Sequence, residues 1–544
     1  MSIRTNKMKA VPVLLKQLMA TRSKFHEREG DRSFDRKLEK LRLDVNKIKD
    51  VFVKVKKNEE ELLDILAEVY DHLQKLDRKK LDEDMDDICK RIKDSAHKLV
   101  PMDAFDDSFK GEDHKGGHIF HSSQQLQQPH QKSWSREDYD QLDHIPKDCL
   151  SFLLIFPENA VIRKSNAINL WIGEGLTVDI EKIPAKQWGE NVIDNLLQCN
   201  VIVPYGNGKV PPTNKFRILP DVRRQLGLYL TKKNAEHPEY ASLSQKTRIN
   251  RPQWVKKFMN LKVLQLGRWQ DSPFHHIEVG GEEFLEELRN LTQLKYLSLR
   301  GISRIFKLPS SIAELESLLV LDLKVCHNLE TLPNDISSMK SLTHLILSQC
   351  PLLEGMPKGI EKLSNLEVLK GFLISAPEKT PRRISDLVNL KKLTQLSIRI
   401  GSEVVISDMH FKSLGDIYTL EHLKISWSVS HPRYGNIQVI FPPRLCKLHL
   451  ECFPGKSFEE CWFETRALRQ NMELNITGGK LESMKVNFEW RNVYILRLKY
   501  LKQLNVHIND LKSLFPGLKY AEIKQISNHS YTEREWFSYE SDTD

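Results

Sequence analysis

Apolar residues recur along this chain with two rhythms, one helical and one extended. In the first hundred residues Val11, Leu14, Leu15 and Leu18 outline a short helix that ends near Gly30. Leu38, Leu41, Val45, Ile48, Phe52 and Val55 then step alternately by three and four, as do Leu62, Leu66, Val69, Leu73 and Leu76, which lines one face of a helix. Met85, Ile88, Ile92 and Leu99 continue the theme. Breaks near Gly30, Asn58 and Asp77 leave each seam too short for a lone coiled coil. The pattern therefore predicts a four-helix bundle over residues 1–102.

The extended rhythm governs the second half. Leu-Pro-x-x-Ile-x-x-Leu-x-x-Leu starts at Leu308, recurs at Leu332 with Met339 for the first later leucine, and recurs again at Met356. Pro309, Pro333 and Pro357 stand 24 residues apart, separated by Leu318-x-x-Leu321-x-Leu323-x-x-Cys326 and Leu342-x-x-Leu345-x-Leu347-x-x-Cys350. Strand alternation turns the leucines inward, and Cys326 and Cys350 fall where a turn tucks a small side chain beneath the backbone. The prolines open a return segment, where a missing ladder donor is tolerated. One such unit cannot bury its apolar side alone, so units must stack.

The template extends outward. It fits Leu261/Leu264/Leu266, Leu294/Leu297/Leu299, Leu366/Leu369, Leu393/Leu396/Ile398, Leu420/Leu423/Ile425 and Leu445/Leu448/Leu450, and fades into Leu501/Leu504/Val506 and Leu518/Ala521/Ile523. The expectation is a curved leucine-rich-repeat solenoid over 256–526, followed by an acidic tail, 527–544.

Between the two rhythms lie two further segments. Residues 103–140 lose all periodicity, and Gly116, Gly117, Ser122, Ser123, four glutamines and Pro129 mark a flexible linker. After it come His144-Ile-Pro-Lys-Asp-Cys-Leu-Ser-Phe-Leu-Leu-Ile-Phe-Pro-Glu-Asn159 and Ile168-Asn-Leu-Trp-Ile-Gly-Glu-Gly175. Pro146, Cys149, Leu150, Phe152, Leu153, Phe156, Pro157, Glu158, Leu170, Trp171, Ile172, Glu174 and Gly175 carry a resemblance to the winged-helix part of the NB-ARC module of plant NLR disease-resistance proteins.

The resemblance implies a winged-helix domain over 141–232, with Ile202-Val-Pro, Gly206 and Gly208 as its wing, and a connector over 233–255. It likens the first hundred residues to the family's coiled-coil domain, with Ala67-Glu-Val-Tyr-Asp71 where an acidic element normally stands. The fold class expected is thus multidomain, α and α/β: helical bundle, winged helix and repeat solenoid. The family's nucleotide chemistry needs a Gly-x-x-x-x-Gly-Lys-Ser/Thr loop. Gly455-Lys456-Ser457 has Leu450 at its leading glycine position, and Leu219-Pro220-Asp221 puts a proline where the family has a nucleotide-contacting histidine. No cofactor is expected, and the resemblance implies a form without the nucleotide-binding subdomain.

Composition narrows the rest. A chain of 544 residues exceeds one core and suggests about three domains. No apolar run reaches the roughly 18 residues of a membrane span. Eight scattered cysteines with no Cys-x-x-Cys fit a reducing, cytoplasmic setting. A net charge of +9, from 82 basic and 73 acidic residues, is a modest imbalance. His114, His118, His121 and His130 lack a set that completes a metal site, and no nucleophile, base or carboxylate pair has motif support, so neither metal nor enzyme is expected.

The working surface expected is the concave strand face, built from side chains between the inward leucines: Tyr296, Ser298, Arg300, Asp322, Lys324, His344, Gln395, Arg399, His422, Lys424, Lys447 and His449. Its partners would be proteins: a pathogen effector, a guarded host protein or a full-length NLR. Two alternatives come from the same residues. A winged-helix nucleic-acid regulator would read bases through Arg163, Lys164, Asn166 and Asn169. A membrane-active cell-death executor would use the amphipathic segment from Val11 to Leu18.

Overall fold

A computed structural model describes residues 14, 17–18, 37–38, 41, 45, 65–71, 78–99, 142–156, 160–176, 183–205, 214–233, 240–242, 260–267, 283–302, 305–374, 383–401, 411–427, 438–458, 462–464, 471–484, 490–501, 503–504, 506, 508–524 and 535–538. The linker at 103–140 with its four histidines, the tip of the expected wing and most of the tail lie outside them. The chain divides into two compact units: Met1–Val100 with Ser303–Glu316 and Asp322–Asp544, and Pro101–Ile302 with Ser317–Leu321.

In the first hundred residues, the described seam positions Leu14, Leu18, Leu38, Leu41, Val45, Leu66, Val69, Met85, Ile88 and Ile92 are helical and buried. Helix α1, Arg78–Leu99, is tied by Arg91 to Glu68 at 3.0 Å.

The unit around Pro101–Ile302 begins with α2, His144–Phe152, and continues through β1, Ile162–Arg163, α3, Lys164–Glu174, and α4, Ala185–Gln198. Strands β2, Ile202–Pro204, and β3, Lys215–Ile218, precede α5, Pro220–Lys233. β3 is the middle strand of an antiparallel sheet, paired with β1 and β2. Ala167, Ile168, Leu170, Trp171, Ile172 and Gly173 are all buried in α3, the mark of a helix covered on every side rather than along one stripe. The Trp171 indole N–H donates to Cys149 O at 2.9 Å. Gly175 closes α3 at φ 85°, its amide donating to Trp171 O and Ile172 O, a left-handed cap that glycine adopts without steric cost. Strands β4, Tyr240–Ser242, β5, Val263–Gln265, and β6, Tyr296–Ser298, then run parallel side by side. The amides of Leu319 and Val320, at the start of β7, Val320–Asp322, donate to Lys295 O.

In the other unit the repeats align as the periodicity predicts. β8, His344–Ile346, β9, Val368–Ile374, β10, Gln395–Ile400, and β11, His422–Trp427, are parallel neighbours in that order. A short pair, β12, Gln438–Ile440, and β14, Trp462–Glu464, stands apart from them. The main ladder resumes with β13, Lys447–Phe453, β15, Met472–Gly479, β16, Val493–Lys499, and β17, Tyr520–Lys524. β18, Glu535–Ser538, pairs antiparallel with β17.

Register places Leu345, Leu369, Leu396, Leu423, Leu448, Leu474, Leu496 and Ala521 in one buried row. Each leucine removed from water contributes roughly 1.5–3 kcal/mol, and only stacking removes them. The 24-residue period is also closed by backbone: Glu330 N–H donates to Phe306 O at 2.7 Å and Glu354 N–H to Glu330 O at 2.9 Å. Pro309 and Pro333, at φ −68° and −67°, stand immediately before the 3-10 turns Ser310–Glu314 and Asn334–Ser338. Cys350 Sγ donates to Leu323 O at 3.1 Å, the tuck expected of that position. Toward the C-terminus an aromatic file, Trp427, Phe453, Phe458, Trp490 and Phe515, fills the interior at centroid spacings of 5.6, 5.5, 6.0 and 6.5 Å.

Two features depart from the sequence reading. The strand expected at Leu501/Leu504/Val506 lies instead at β16, with Leu496 and Leu498 inward, and β15 adds a repeat the template missed. Successive core leucines Leu448, Leu474 and Leu496 stand 26 and then 22 residues apart, so a fixed period steps over them. Gly371 forms a bulge: Lys370 pairs with Ser397 and Phe372 with Ile398, leaving Gly371 over at φ 92°. A Cβ there would sit 2.6 Å from Leu347 O.

Candidate protein-interaction face

Because the strands are parallel and in register, the residues between the inward leucines form rows running across them. One row is His344, Val368, Gln395, His422, Lys447, Glu473, Ile495 and Tyr520. The next is Ile346, Lys370, Ser397, Lys424, His449, Asn475, Arg497 and Glu522, and the third is Leu373, Arg399, Ser426, Glu451, Thr477, Lys499 and Lys524.

Charges on this face interlock. Lys424 Nζ lies 2.9 Å from Glu451, whose carboxylate also accepts from Ser426 Oγ. Lys447 Nζ lies 3.0 Å from Glu473, Arg497 contacts the same Glu473, Arg497 Nε lies 3.2 Å from Glu522, and Lys499 Nζ reaches Glu522 at 2.9 Å. Asn475 donates to Glu473 at 3.0 Å, and the His449 ring lies 3.1 Å from Thr477 Oγ1. Lys424, Lys447 and Lys499 keep side-chain exposures of 35%, 34% and 28%, whereas Glu522 keeps 4%. Glu473 and Glu522 thus lie low beneath their lysines, at 14% and 4%, as long flexible stems allow, while Glu451 stands nearly level with Lys424 at 30%.

Titration follows this packing. Burial, with Lys424 beside it, depresses His449. For Glu451 burial alone acts upward, but Lys424 and the Ser426 hydroxyl hold the carboxyl below its usual range. Burial and Arg497 lower Lys447 to about 8. His344, buried beside Lys370, falls to about 3.

Of the residues expected on this face, Gln395, Arg399, His422, Lys424, Lys447 and His449 share its rows and are half-buried, and Lys324 is half-buried nearer the start of the array. Five others do not point to solvent: Tyr296, Ser298, Arg300, Asp322 and His344 are 4%, 1%, 2%, 6% and 4% exposed. For the first three the cause is α3, which packs on β5 and β6. Arg300 Nη1 donates to Asn166 Oδ1 at 3.3 Å, and a Cβ on Gly173 would meet Tyr296 Cβ at 2.4 Å. Tyr296 Oη donates to Gln265 Oε1 at 2.9 Å, and Gln265 Nε2 reaches Gly267 O and Ser298 Oγ. Lys262 pairs with the buried Glu174 at 3.8 Å. Asp322 turns back onto its own chain, accepting from the Lys324 amide at 2.9 Å.

Three of the four residues offered as readers of bases take part in contacts within the chain. Asn166 is engaged by Arg300, Arg163 is held in β1 and Lys164 pairs with Asp194 at 3.3 Å. Lys456, in the Gly-Lys-Ser sequence, pairs with Glu482 at 3.1 Å. Leu14 and Leu18, the described apolar positions of the segment offered to a membrane, are buried, and no described helix is long and apolar enough to cross one. Lys370, Glu451, Glu473, Arg497, Lys499 and Glu522 were not anticipated on the face; continuing the alternation through Leu474/Ile476 and Leu496/Leu498 would have exposed three of them, Glu473, Arg497 and Lys499.

Comparison with known proteins agrees with the repeat architecture. A family model described as a leucine-rich repeat region matches residues 243–529. Disease resistance RPP13-like protein 4 of Arabidopsis thaliana is 27% identical over 427 residues, 70% of this chain and 48% of the relative. Disease resistance protein Pik-2 of Oryza sativa subsp. japonica is 26% identical over 216 residues, 34% of this chain and 21% of the relative. The chain thus spans about half the length of the first relative and about a fifth of the second. A leucine-rich-repeat protein of Leptospira interrogans aligns at a TM-score of 0.30 and 16% identity, covering 54% of this chain and 80% of that one.

Proposed function

Because the chain belongs to the leucine-rich repeat family and its relatives are plant disease-resistance proteins, we propose that it serves plant defence as a non-catalytic protein that grips other proteins through its repeats. The finer reading is a cytoplasmic scaffold, decoy or regulator of full-length receptors, with a helical bundle and a winged-helix domain ahead of the repeats. One observation carries it: the three rows of polar side chains held in register on β9–β17. A face fixed by a hydrogen-bonded ladder loses little conformational entropy on binding, which favours protein recognition.

The test is co-immunoprecipitation of the tagged full chain with a panel of full-length plant disease-resistance proteins. Arg300 is unsuitable for charge reversal because it is buried against Asn166. Lys424→Glu, Lys447→Glu and Lys499→Glu together should abolish capture. Lys358→Glu, Lys391→Glu and Lys512→Glu, exposed and outside the strands, should leave it intact. Capture that survives the first triple variant in a folded chain rules out this face.

A further inference from the structure

We infer that β10 is the strand on which a partner protein is anchored: Arg399 takes one aspartate or glutamate side chain, and Ser397 and Gln395 hold the backbone of the same extended segment along the strand. This rests on the reading above that the face is the binding surface, and it names the anchoring residues and the chemistry they take. Gln395, Ser397 and Arg399 alternate with the buried Leu396, Ile398 and Ile400, so all three lie on the outer side of β10. None of the three makes a side-chain hydrogen bond or an ion pair with a described residue.

The strands on either side differ from β10. From β11 onward the charges are taken up among themselves: Lys424 and Ser426 engage Glu451, Lys447 and Arg497 engage Glu473, and Arg497 and Lys499 engage Glu522. On β9, Val368 and Leu373 stand in register with Gln395 and Arg399, and they are apolar and only 4% and 5% exposed.

Arg399 decides the ligand. Half-buried between Leu373 and Ser426, its guanidinium has lost water without gaining an acceptor, and burial lowers its pKa from the usual value. A cation held in this way costs the free chain stability. A carboxylate supplies two acceptors in the geometry of the guanidinium fork and matches its single charge. The Gln395 amide and the Ser397 hydroxyl can each donate and accept, which suits the N–H and C=O groups of an extended backbone. Outer side chains recur about every 6.6 Å along a strand, the spacing of alternate residues in such a segment, so about five residues reach from Gln395 to Arg399. A nucleic acid fits less well, because its phosphates would run on past Glu451, the next carboxylate in the row of Arg399.

Random heptapeptides, displayed with their C-termini fused to the carrier so that no free chain end is offered, can be selected on the immobilised full chain. The enriched sequences are then made as soluble labelled peptides for fluorescence anisotropy. They should share one Asp or Glu. Arg399→Gln should weaken their binding at least tenfold, replacing the peptide's Asp or Glu by its amide should do the same, and both changes together should cost no more than either alone. Enrichment of nothing or of sequences without a carboxylate, losses that multiply, or tighter binding of a 12-nucleotide single-stranded DNA than of the peptides would overturn the inference. Urea unfolding probes its premise separately. Arg399→Gln should unfold at the same or a higher urea concentration than the parent chain; a lower midpoint would mean that the guanidinium already has a partner, and the inference falls. If the peptides fail while capture of full-length receptors still depends on Lys424, Lys447 and Lys499, only the anchoring proposal falls. If capture ignores those lysines as well, the reading of the face falls with it.

Discussion

Replacing Arg497 by Met should loosen the last strands of the array while leaving the earlier ones unchanged. Arg497 touches two carboxylates at once, Glu473 and, at 3.2 Å, Glu522, and its own side chain is 15% exposed. Methionine retains most of the apolar stem, so the change isolates the guanidinium. Removing one partner of a buried ion pair ordinarily costs ~3–5 kcal/mol. Here Glu473 keeps Lys447 at 3.0 Å and Glu522 keeps Lys499 at 2.9 Å, so we set the cost lower, at about 2 kcal/mol, or about 30-fold in a local opening equilibrium. Hydrogen exchange followed by mass spectrometry reads that opening strand by strand. Peptides covering 472–479, 493–499 and 520–524 should exchange about 30-fold faster, and those covering 344–346 and 368–374 at the wild-type rate, because repeats contact only their neighbours. Arg497→Lys should fall between, keeping charge but losing the fork that serves two acceptors. Exchange within threefold of wild type across β15–β17 would refute the linkage of these carboxylates through Arg497.

Four further outcomes follow from other sites. Gly173→Val, pressed against Tyr296 Cβ, should destabilise by at least ~2 kcal/mol and open a protease site in α3; unaltered urea unfolding would disprove the close seat of α3 on β6. Gly371→Ala forces a left-handed residue against Leu347 O and should cost ~2 kcal/mol or more, seen as faster exchange in β9; a neutral result would mean the bulge relaxes freely. His344 and His449 are held uncharged in the fold, so the unfolded chain binds more protons below about pH 6.5 and stability must fall as pH drops from there toward about 3 for His344. The melting temperature should therefore be lower at pH 5 than at pH 6.5, and His344→Gln/His449→Gln should shrink that difference; an undiminished difference would assign it to other groups. Phe458→Ala, which empties the middle of the aromatic file, should cost ~3–5 kcal/mol by chemical denaturation.

Much of the repeat array was legible because its constraint is local. An inward leucine and the residue two places on obey strand alternation whatever surrounds them, and the prolines mark the return turns. Legibility failed where locality failed. β15 and β16 keep the Leu-x-Ile and Leu-x-Leu cores, but Met472 and Val493 open them and the spacing shifts, so the period alone missed these two strands and with them Glu473, Arg497 and Lys499. The burial of Tyr296 and Arg300 has no signature near either residue, because the covering side chains come from α3, with Asn166 lying 134 positions from Arg300. Gly173 was the available hint: a glycine inside a helix is costly unless something must approach closely, and Tyr296 does.

The equal spacing of Pro309, Pro333 and Pro357 has a consequence for inheritance. Gain or loss of one 24-residue module by unequal crossover within this stretch would leave the backbone bonds from Glu330 to Phe306 and from Glu354 to Glu330 with equivalent partners. The gene can therefore lengthen or shorten the arc, and re-sort which side chains meet a visitor, without inventing a new core.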